Sequence, residues 1–401
     1  MSKYVSDTVT WVGKVDWALR SFHGQELSTH RGTTYNAYLI RDEKVALVDT
    51  VWEPFAEEFV EKLKQEIDLN EIDVIISNHS EIDHSGAIPA LLREIPGTPV
   101  YASKNGVQNL KGHFHADWNF VEVKTGDTLN LGKKTLTFIE AKMLHWPDSM
   151  FCYLDGENIL FSNDAFGQHY ASEHLFNDQA DQDELFQEAM KYYANILTPF
   201  SKLVTRKIHE LQEMNLPIEM ICTSHGISWR ENPMQIVEKY LEWAAGYQED
   251  RVTVIYDTMW EGTRKLAEAV TEGMLEASPA TKIKMFNASK TDKNDLISEI
   301  FRSKAFLIGS PTINNGILFS IAGLLEMIQG FKFQNKKGAA LGCYGWSGEG
   351  PGIIEKELSQ GGLDVVQPAM KAKWNPDREA LDKAYQYGKD FASKIESGEA
   401  R

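Results

Sequence analysis

Apolar residues follow two spacings along this chain. Short runs at Tyr38–Ile40, Val45–Val48, 72–76, Thr135–Glu140, 159–161 and 220–222 are continuous or alternating and predict buried strands. The stretches 55–67, Ile88 with Leu91 and Leu92, and 233–245 place apolar residues three and four apart and predict amphipathic helices. After a polar link at residues 246–250 the order becomes strand, loop, helix, strand, with strands at 252–256, 305–308 and 339–341. That rhythm belongs to an open parallel sheet. Two α/β domains are expected, residues 1–249 and 250–401, and 401 residues with 42% hydrophobic side chains suffice for a core in each.

The strands of the first half end in similar chemistry. Beyond the 72–76 run stands His79-Ser80-Glu81-Ile82-Asp83-His84, four potential metal ligands within six residues, with Ser85-Gly86 opening a helical pattern behind it. His145 follows Thr135–Glu140 in Met-Leu-His-Trp-Pro-Asp, Asp164 follows 159–161 in Ser-Asn-Asp, and His225 follows 220–222 in Thr-Ser-His-Gly. A sheet fixes the root of each loop, so ligand-type side chains past four strand ends are expected to line one rim of a sheet. Two imidazoles and two carboxylates in the first segment exceed what one tetrahedral ion takes, and the spacing suggests a two-metal site.

This set resembles the metallo-β-lactamase fold, an αββα sandwich whose hydrolases carry a His-x-His-x-Asp-His loop with later His, Asp and His ligands. Glu81 stands where those hydrolases have histidine, and the His-x-Glu-x-Asp-His form is similar to the flavodiiron proteins. Zinc tolerates an imidazole-rich shell, whereas an iron pair cycling between ferrous and ferric gains from anionic oxygen ligands. His79, His84, His145 and His225 against Glu81, Asp83 and Asp164 favour a redox metal, and ligand identity alone leaves zinc open.

Three loops follow the strands of the second half. The first is Asp257-Thr258-Met259-Trp260-Glu261-Gly262-Thr263, before a helix from Arg264; hydroxyls and free N–H groups at a helix N-terminus make a phosphate site without a basic residue. The second is Gly309-Ser310-Pro311-Thr312-Ile313-Asn314-Asn315-Gly316, and the third Gly342-Cys343-Tyr344-Gly345-Trp346-Ser347-Gly348. Ligands of doubly wound sheets bind past such strand ends. Together the loops resemble flavodoxin, which implies FMN held by Thr258, Met259, Trp260, Gly262 and Thr263, by Ser310, Pro311, Thr312, Asn314, Asn315 and Gly316, and by Tyr344, Gly345, Trp346 and Gly348. Flavodoxins place glycine in the middle of the phosphate loop, where this chain has Glu261. Trp260 and Trp346 could stack on a planar ring or pack in a core.

Charge and cysteine usage remove other classes. A net charge of −17 argues against a nucleic-acid substrate, which needs a basic footprint. No apolar run approaches membrane-spanning length, and Met1-Ser2-Lys3-Tyr4 opens no signal peptide. Cys152, Cys222 and Cys343 are widely spaced and odd in number, which predicts a reduced, cytoplasmic compartment without disulfides.

Joined in this order, the halves resemble a flavodiiron protein over nearly the whole chain, and the first half looks most like the anaerobic nitric oxide reductases. The resemblance implies that His79, Glu81 and His145 hold one iron, that Asp83, His84 and His225 hold the other, and that Asp164 bridges them. His84 is variable in this role within the family. His23 and Tyr193 resemble residues that face the substrate pocket, while His113 and His115 lie off the strand-end pattern and read as surface residues. The implied reaction reduces NO to N2O, O2 to water, or both, through FMN, in a head-to-tail homodimer or a dimer of dimers. Some relatives append a rubredoxin domain, marked by two Cys-x-x-Cys pairs, or a flavin reductase domain. Neither occurs before Arg401, so the expected donor is a separate protein such as rubredoxin, or a rubredoxin domain belonging to a longer chain. The alternative class is a zinc hydrolase using the same rim to activate water.

Overall fold

The computed structural model describes residues 3–396. The chain divides into two compact units, Met1–Leu241 and Glu242–Arg401, with the division inside the helix Met234–Ala244.

In the first unit a seven-stranded sheet runs in the order Lys3–Tyr4, Val9–Trp11, Tyr38–Ile40, Val45–Val48, Ile72–Ile76, Val100–Ser103 and Phe120–Val123. A five-stranded sheet runs Thr128–Asn130, Thr135–Glu140, Met150–Asp155, Ile159–Asn163 and Met220–Thr223. Successive side chains of a strand point to opposite faces, and both faces of the larger sheet are covered. Leu39, Leu47 and Ile75 pack with Phe59, Val60 and Leu63 of the helix Ala56–Glu66 and with Leu91 and Leu110 of the helices Ile88–Glu94 and Lys104–Phe114. Tyr38, Ile40, Ala46, Val48, Val74 and Ile76 point the other way and meet Phe138, Cys152, Leu154 and Phe161 of the smaller sheet. On the far face of that sheet Phe151 packs on Phe166, which packs on Tyr240 of Met234–Ala244, at ring separations of 6.4 and 4.7 Å. The result is an αββα sandwich. Two-sided burial explains why the 72–76 run reads as nearly continuous apolar sequence.

The second unit holds one parallel sheet, ordered Lys282–Asn287, Glu249–Tyr256, Ser303–Gly309 and Lys337–Tyr344, with Asp364–Val365 and Met370–Lys373 both pairing with Lys337–Tyr344. The first strand lies inside and the second at the edge, the flavodoxin-like doubly wound order. Its helices Gly262–Ala277 and Arg378–Glu396 share a core through Leu266, Val270, Met274, Phe391 and Ala392. They cross closely: a Cβ on Gly273 would lie 1.9 Å from Tyr385 O, and one on Gly388 2.0 Å from Val270 O. Larger residues there would force the helices apart.

Three details differ from the sequence reading. Asp83 and His84 lie in a one-turn helix, Ile82–Ser85, ahead of the helix Ile88–Glu94. Gly342, Cys343 and Tyr344 belong to the strand Lys337–Tyr344 and not to the loop after it. The strand ends carrying the candidate ligands belong to two sheets rather than one, since Ile72–Ile76 lies in the larger sheet and the other three in the smaller. Among the described residues no helix is long and apolar enough to cross a membrane.

Candidate metal centre and flavin cavity

The strand Ile72–Ile76 delivers its loop to the end of the central strand of the smaller sheet, Met150–Asp155. The N–H of Asn78 donates to Asp49 Oδ1 at 2.8 Å, and the N–H of Met150 donates to Asn78 O at 2.9 Å. The turn Ile82–Ser85 is closed by Ser85 Oγ donating to Ser80 O at 2.8 Å, and it carries Asp83 and His84 into the interior. His145, Asp164 and His225 come from the ends of Thr135–Glu140, Ile159–Asn163 and Met220–Thr223. The rim is shared because the two sheets face each other across one core.

Two groups of ligand atoms result, each within 4.8 Å: His79, Glu81, His145 and Asp164 in one, and Asp83, His84 and His225 in the other. In the first, His79 Nε2 and His145 Nε2 lie 3.2 and 3.4 Å from Glu81 Oε2. They lie 3.7 and 3.3 Å from Asp164 Oδ2. In the second, His225 Nε2 and His84 Nε2 lie 2.9 and 3.2 Å from Asp83 Oδ2. Asp164 joins them, with Oδ1 3.0 Å from His84 Nε2 and 3.6 Å from His225 Nε2.

These contacts are close but mostly not aligned as hydrogen bonds. Both carboxylate oxygens of Asp83, both ring nitrogens of His84 and Asp164 Oδ2 are buried without a hydrogen-bond partner. An unsatisfied buried polar atom costs roughly 1–3 kcal/mol, so a cluster of them calls for a reason. Lone pairs aimed at shared points between the side chains supply it: the donor set fits two cations.

Without a cation, protons carry the balancing charge. Burial disfavours the imidazolium of His84, yet Asp83 and Asp164 outweigh it and raise the ring to about 9. His145 is raised to about 9 against burial by Asp164 and Glu81. Burial would lift Glu81 and Asp164, but the facing histidines hold both carboxyls far below the usual range. Metal binding therefore displaces protons here.

In the second unit a cavity of about 710 Å³ opens past the strand ends, a size typical of a cofactor site. Thr258, Met259, Trp260, Gly262 and Thr263 line it, with Pro311, Thr312, Asn314 and Asn315 and with Tyr344, Gly345 and Trp346. Ile313, Cys343, Ser347, Trp374 and Asn375 complete the lining. Ser310, Gly316 and Gly348 lie outside that lining and shape the loops instead. Ser310 Oγ accepts from Leu318 N–H at 3.0 Å, and Gly316 N–H donates to Ile313 O at 2.7 Å. A Cβ on Gly348 would stand 3.2 Å from the Tyr344 ring. Trp260, Trp346 and Trp374 are 89%, 85% and 61% exposed, which rules out core packing; Trp346 and Trp374 meet each other at 6.1 Å, beside the cavity they line.

The phosphate end is equally specific. Glu261 adopts φ 65°, a left-handed conformation that favours glycine and costs this side chain about 1–2 kcal/mol. The helix Gly262–Ala277 starts without a side-chain cap, leaving its first N–H groups for an anion. Thr258 Oγ1 is buried without a partner, and Thr263 Oγ1 accepts a long 3.4 Å bond from Cys343 N–H. A phosphate would satisfy these groups.

The chain matches the family model described as ODP family beta lactamase over residues 33–226 and that of flavodoxin over residues 254–388. It is 52% identical to the anaerobic nitric oxide reductase flavorubredoxin of Klebsiella pneumoniae over 394 residues, which is 98% of this chain and 82% of that protein. This chain belongs to the flavodiiron proteins. Among solved structures it resembles rubredoxin oxygen:oxidoreductase from Desulfovibrio gigas, with TM-score 0.96, 36% identity and 99% of both chains covered. It also resembles the flavodiiron protein of Giardia intestinalis, with TM-score 0.93 and 31% identity over 99% of this chain and 97% of that one. The flavodoxin half implies FMN, and the buried cluster fits a di-iron centre.

Contacts outside the ligand set orient the flavodiiron cluster. His79 Nδ1 donates to Asp148 Oδ2 at 3.1 Å, and the same oxygen accepts from Ser80 N–H at 2.7 Å. His225 Nδ1 donates to Thr34 O at 2.6 Å, and Ser224 Oγ donates to Asp164 Oδ1 at 2.9 Å. Each bond to Nδ1 leaves Nε2 facing the centre. Asp148 was not among the expected site residues, although it closes the His-Trp-Pro-Asp segment that begins at His145.

His23 Nε2 reaches Glu81 Oε1 at 2.7 Å. Tyr193 is buried with its hydroxyl 3.0 Å from Ser201 Oγ and its ring edge-on to Tyr240. Its neighbour Tyr192 faces the cluster instead, with its ring 5.1 Å from that of His169 and 6.5 Å from that of His225, and Tyr35 stands 6.0 Å from the His225 ring. One residue turns a helical side chain by about 100°, so a one-position difference redirects it completely. His113 is exposed and stacks on Trp146 at 6.2 Å, and neither it nor His115 joins either ligand group.

Proposed function

We propose that this chain is an oxidoreductase reducing NO to N2O, O2 to water, or both, at a non-haem di-iron centre fed by FMN. The observation that carries the reading is one chain holding both a buried donor cage, in which the Asp83 oxygens, the His84 nitrogens and Asp164 Oδ2 lack hydrogen-bond partners, and a strand-end cavity with an unpartnered threonine hydroxyl. His79, Glu81 and His145 would hold one iron and Asp83, His84 and His225 the other, with Asp164 placed between the two groups as the shared carboxylate. His84 is included because its Nε2 lies within 3.0–3.2 Å of Asp164 and Asp83. Fully reduced, FMN and the metal pair supply two electrons each, matching the four that O2 needs to become two waters and exceeding the two that convert two NO to N2O and water.

The chain's own residues set the conditions for that chemistry. Glu81, Asp83 and Asp164 balance the charge of the cations, and Asp148 and Thr34 fix the rings of His79 and His225. Phe22, Tyr35 and Tyr192 surround His225 with buried aromatic surface and limit water near it. His23, partly exposed on Glu81, stands where a proton can pass between solvent and the centre. Thr258, Thr263 and the helix N-terminus would hold the FMN phosphate, and Trp260 and Trp346 would offer aromatic faces to its ring.

Residues 1–249 carry the metal function and 250–401 the flavin function; the connection after Met234–Ala244 bears no residue of either site. The donor is rubredoxin or a protein like it, a reading supported by names such as flavorubredoxin among the relatives. The assembly is a head-to-tail homodimer, or a dimer of dimers, in which the FMN of one chain faces the di-iron centre of another. Three free buried cysteines support a cytoplasmic setting.

Metal analysis and a visible spectrum of the purified protein test the reading first, with two irons and one FMN per chain expected. Stopped-flow mixing of the reduced protein with O2 and with NO then tests turnover. A colourless protein that binds zinc in the presence of excess iron and cleaves a lactam or thioester would make it a hydrolase instead.

A further inference from the structure

We propose that Asp257 is a positioning residue of the flavin site, holding the phosphate loop so that the Thr258 hydroxyl stays aimed at the FMN phosphate. Asp257 directly follows the strand Glu249–Tyr256, and its own N–H donates to Gly309 O at 2.9 Å, which pins its backbone to the sheet. Asp257 is 6% exposed, and its carboxylate takes donors from three segments. Oδ1 accepts from Thr258 N–H at 2.7 Å and from the Ser289 hydroxyl at 3.0 Å, while Oδ2 accepts from the Ser320 hydroxyl at 2.5 Å. Ser289 sits in the turn Ala288–Lys290 after the strand Lys282–Asn287, and Ser320 in the first turn of the helix Phe319–Phe331 after the second cavity loop. One side chain thus ties the phosphate loop to the connections on both sides of it.

Charge alone argues against an acid at this position. A carboxylate beside a phosphate site repels the phosphate, and here it also occupies Thr258 N–H, which would otherwise be a donor to it. What remains is geometry. With its N–H held, Thr258 keeps an unpartnered hydroxyl in the lining of the cavity. Aspartate is short and accepts at both oxygens, so it can join three donors at a strand end where a longer side chain would overreach.

This inference rests on the reading of the cavity as an FMN site, and one titration separates the two. The full-length, flavin-stripped protein is titrated with FMN and with riboflavin, which lacks the phosphate, for wild type, Asp257→Ala and Asp257→Asn. For Asp257→Ala, FMN should bind about tenfold more weakly while riboflavin affinity stays within about twofold, the loss of one charge-assisted contact at the phosphate end. Asp257→Asn keeps an acceptor for Thr258 N–H and loses the repulsion, so it should bind FMN at least as tightly as wild type. Unchanged FMN affinity in Asp257→Ala, an equal fall for both flavins, or an asparagine variant as weak as alanine each overturns the proposal. If wild type binds neither flavin, or does not prefer FMN to riboflavin, the FMN reading fails instead.

Discussion

Asp164→Ala should cost more metal and more activity than any single histidine substitution. The reason lies in its two oxygens. Oδ1 stands 3.0 Å from His84 Nε2 and 3.6 Å from His225 Nε2, while Oδ2 stands 3.3 Å from His145 Nε2 and 3.7 Å from His79 Nε2. Removing a histidine takes one ligand from one group, whereas removing this carboxylate takes an anion from both. Breaking a buried charge pair costs roughly 3–5 kcal/mol because the partner is left uncompensated. That corresponds to a loss of about a hundredfold to a few thousandfold in affinity for each cation. Alanine also leaves the Ser224 hydroxyl, now 2.9 Å from Oδ1, without its acceptor. Asp164→Asn keeps the shape and that hydrogen bond but not the charge, so it should fall between wild type and alanine. The assay is competition for iron against a chelator of known affinity, with turnover measured in parallel using a reduced one-electron donor. An alanine variant that retained both irons and near-normal turnover would refute the bridging assignment. A single histidine variant that lost more than Asp164→Ala would refute the ranking.

Asp148→Asn should lower iron affinity by about 10–100-fold, less than any ligand change, because it acts through the ring of His79; an unchanged chelator competition curve would count against that role. Thr263→Val should weaken FMN binding and leave iron content unchanged, since the flavin and metal units have separate cores; equal loss of both cofactors would contradict this. His84 and His145 are raised to about 9 in the metal-free site. The stability they lend is complete below the ordinary histidine value of about 6.5 and lost as pH rises through about 9. The melting temperature of the chelator-treated protein should therefore fall from about pH 7 to 9.5, and a flat or rising profile would refute the charge assignment. The reduced protein should be reoxidised by O2, by NO or by both, and should hydrolyse β-lactams and thioesters at no meaningful rate; stopped-flow and hydrolysis assays check the two halves of that statement.

Local sequence determined a large part of this molecule. Period-two and continuous apolar runs mark strands because a strand buries alternate faces or both, and Tyr38–Ile40, Val45–Val48 and Thr135–Glu140 fold with the bounds their pattern implies. Ligand-type residues at strand ends, and hydroxyl-rich or glycine-rich loops after later strands, were legible for the same local reason. The distinction between the two sheets was not, since strand pairing depends on partners far along the chain. Nor was the contact of His79 with Asp148, 69 positions away, or that of His225 with Thr34 O, 191 positions away. The same limit applied to Trp374 and Asn375, which join the flavin cavity from beyond its three loops, and to Tyr192, whose direction follows from the helix register against His169. Residue type and short-range spacing state which chemistry a chain can offer. Which side chains meet is decided by the packing of whole elements, because the energy that selects one arrangement is spread over a core and is not carried by any local segment.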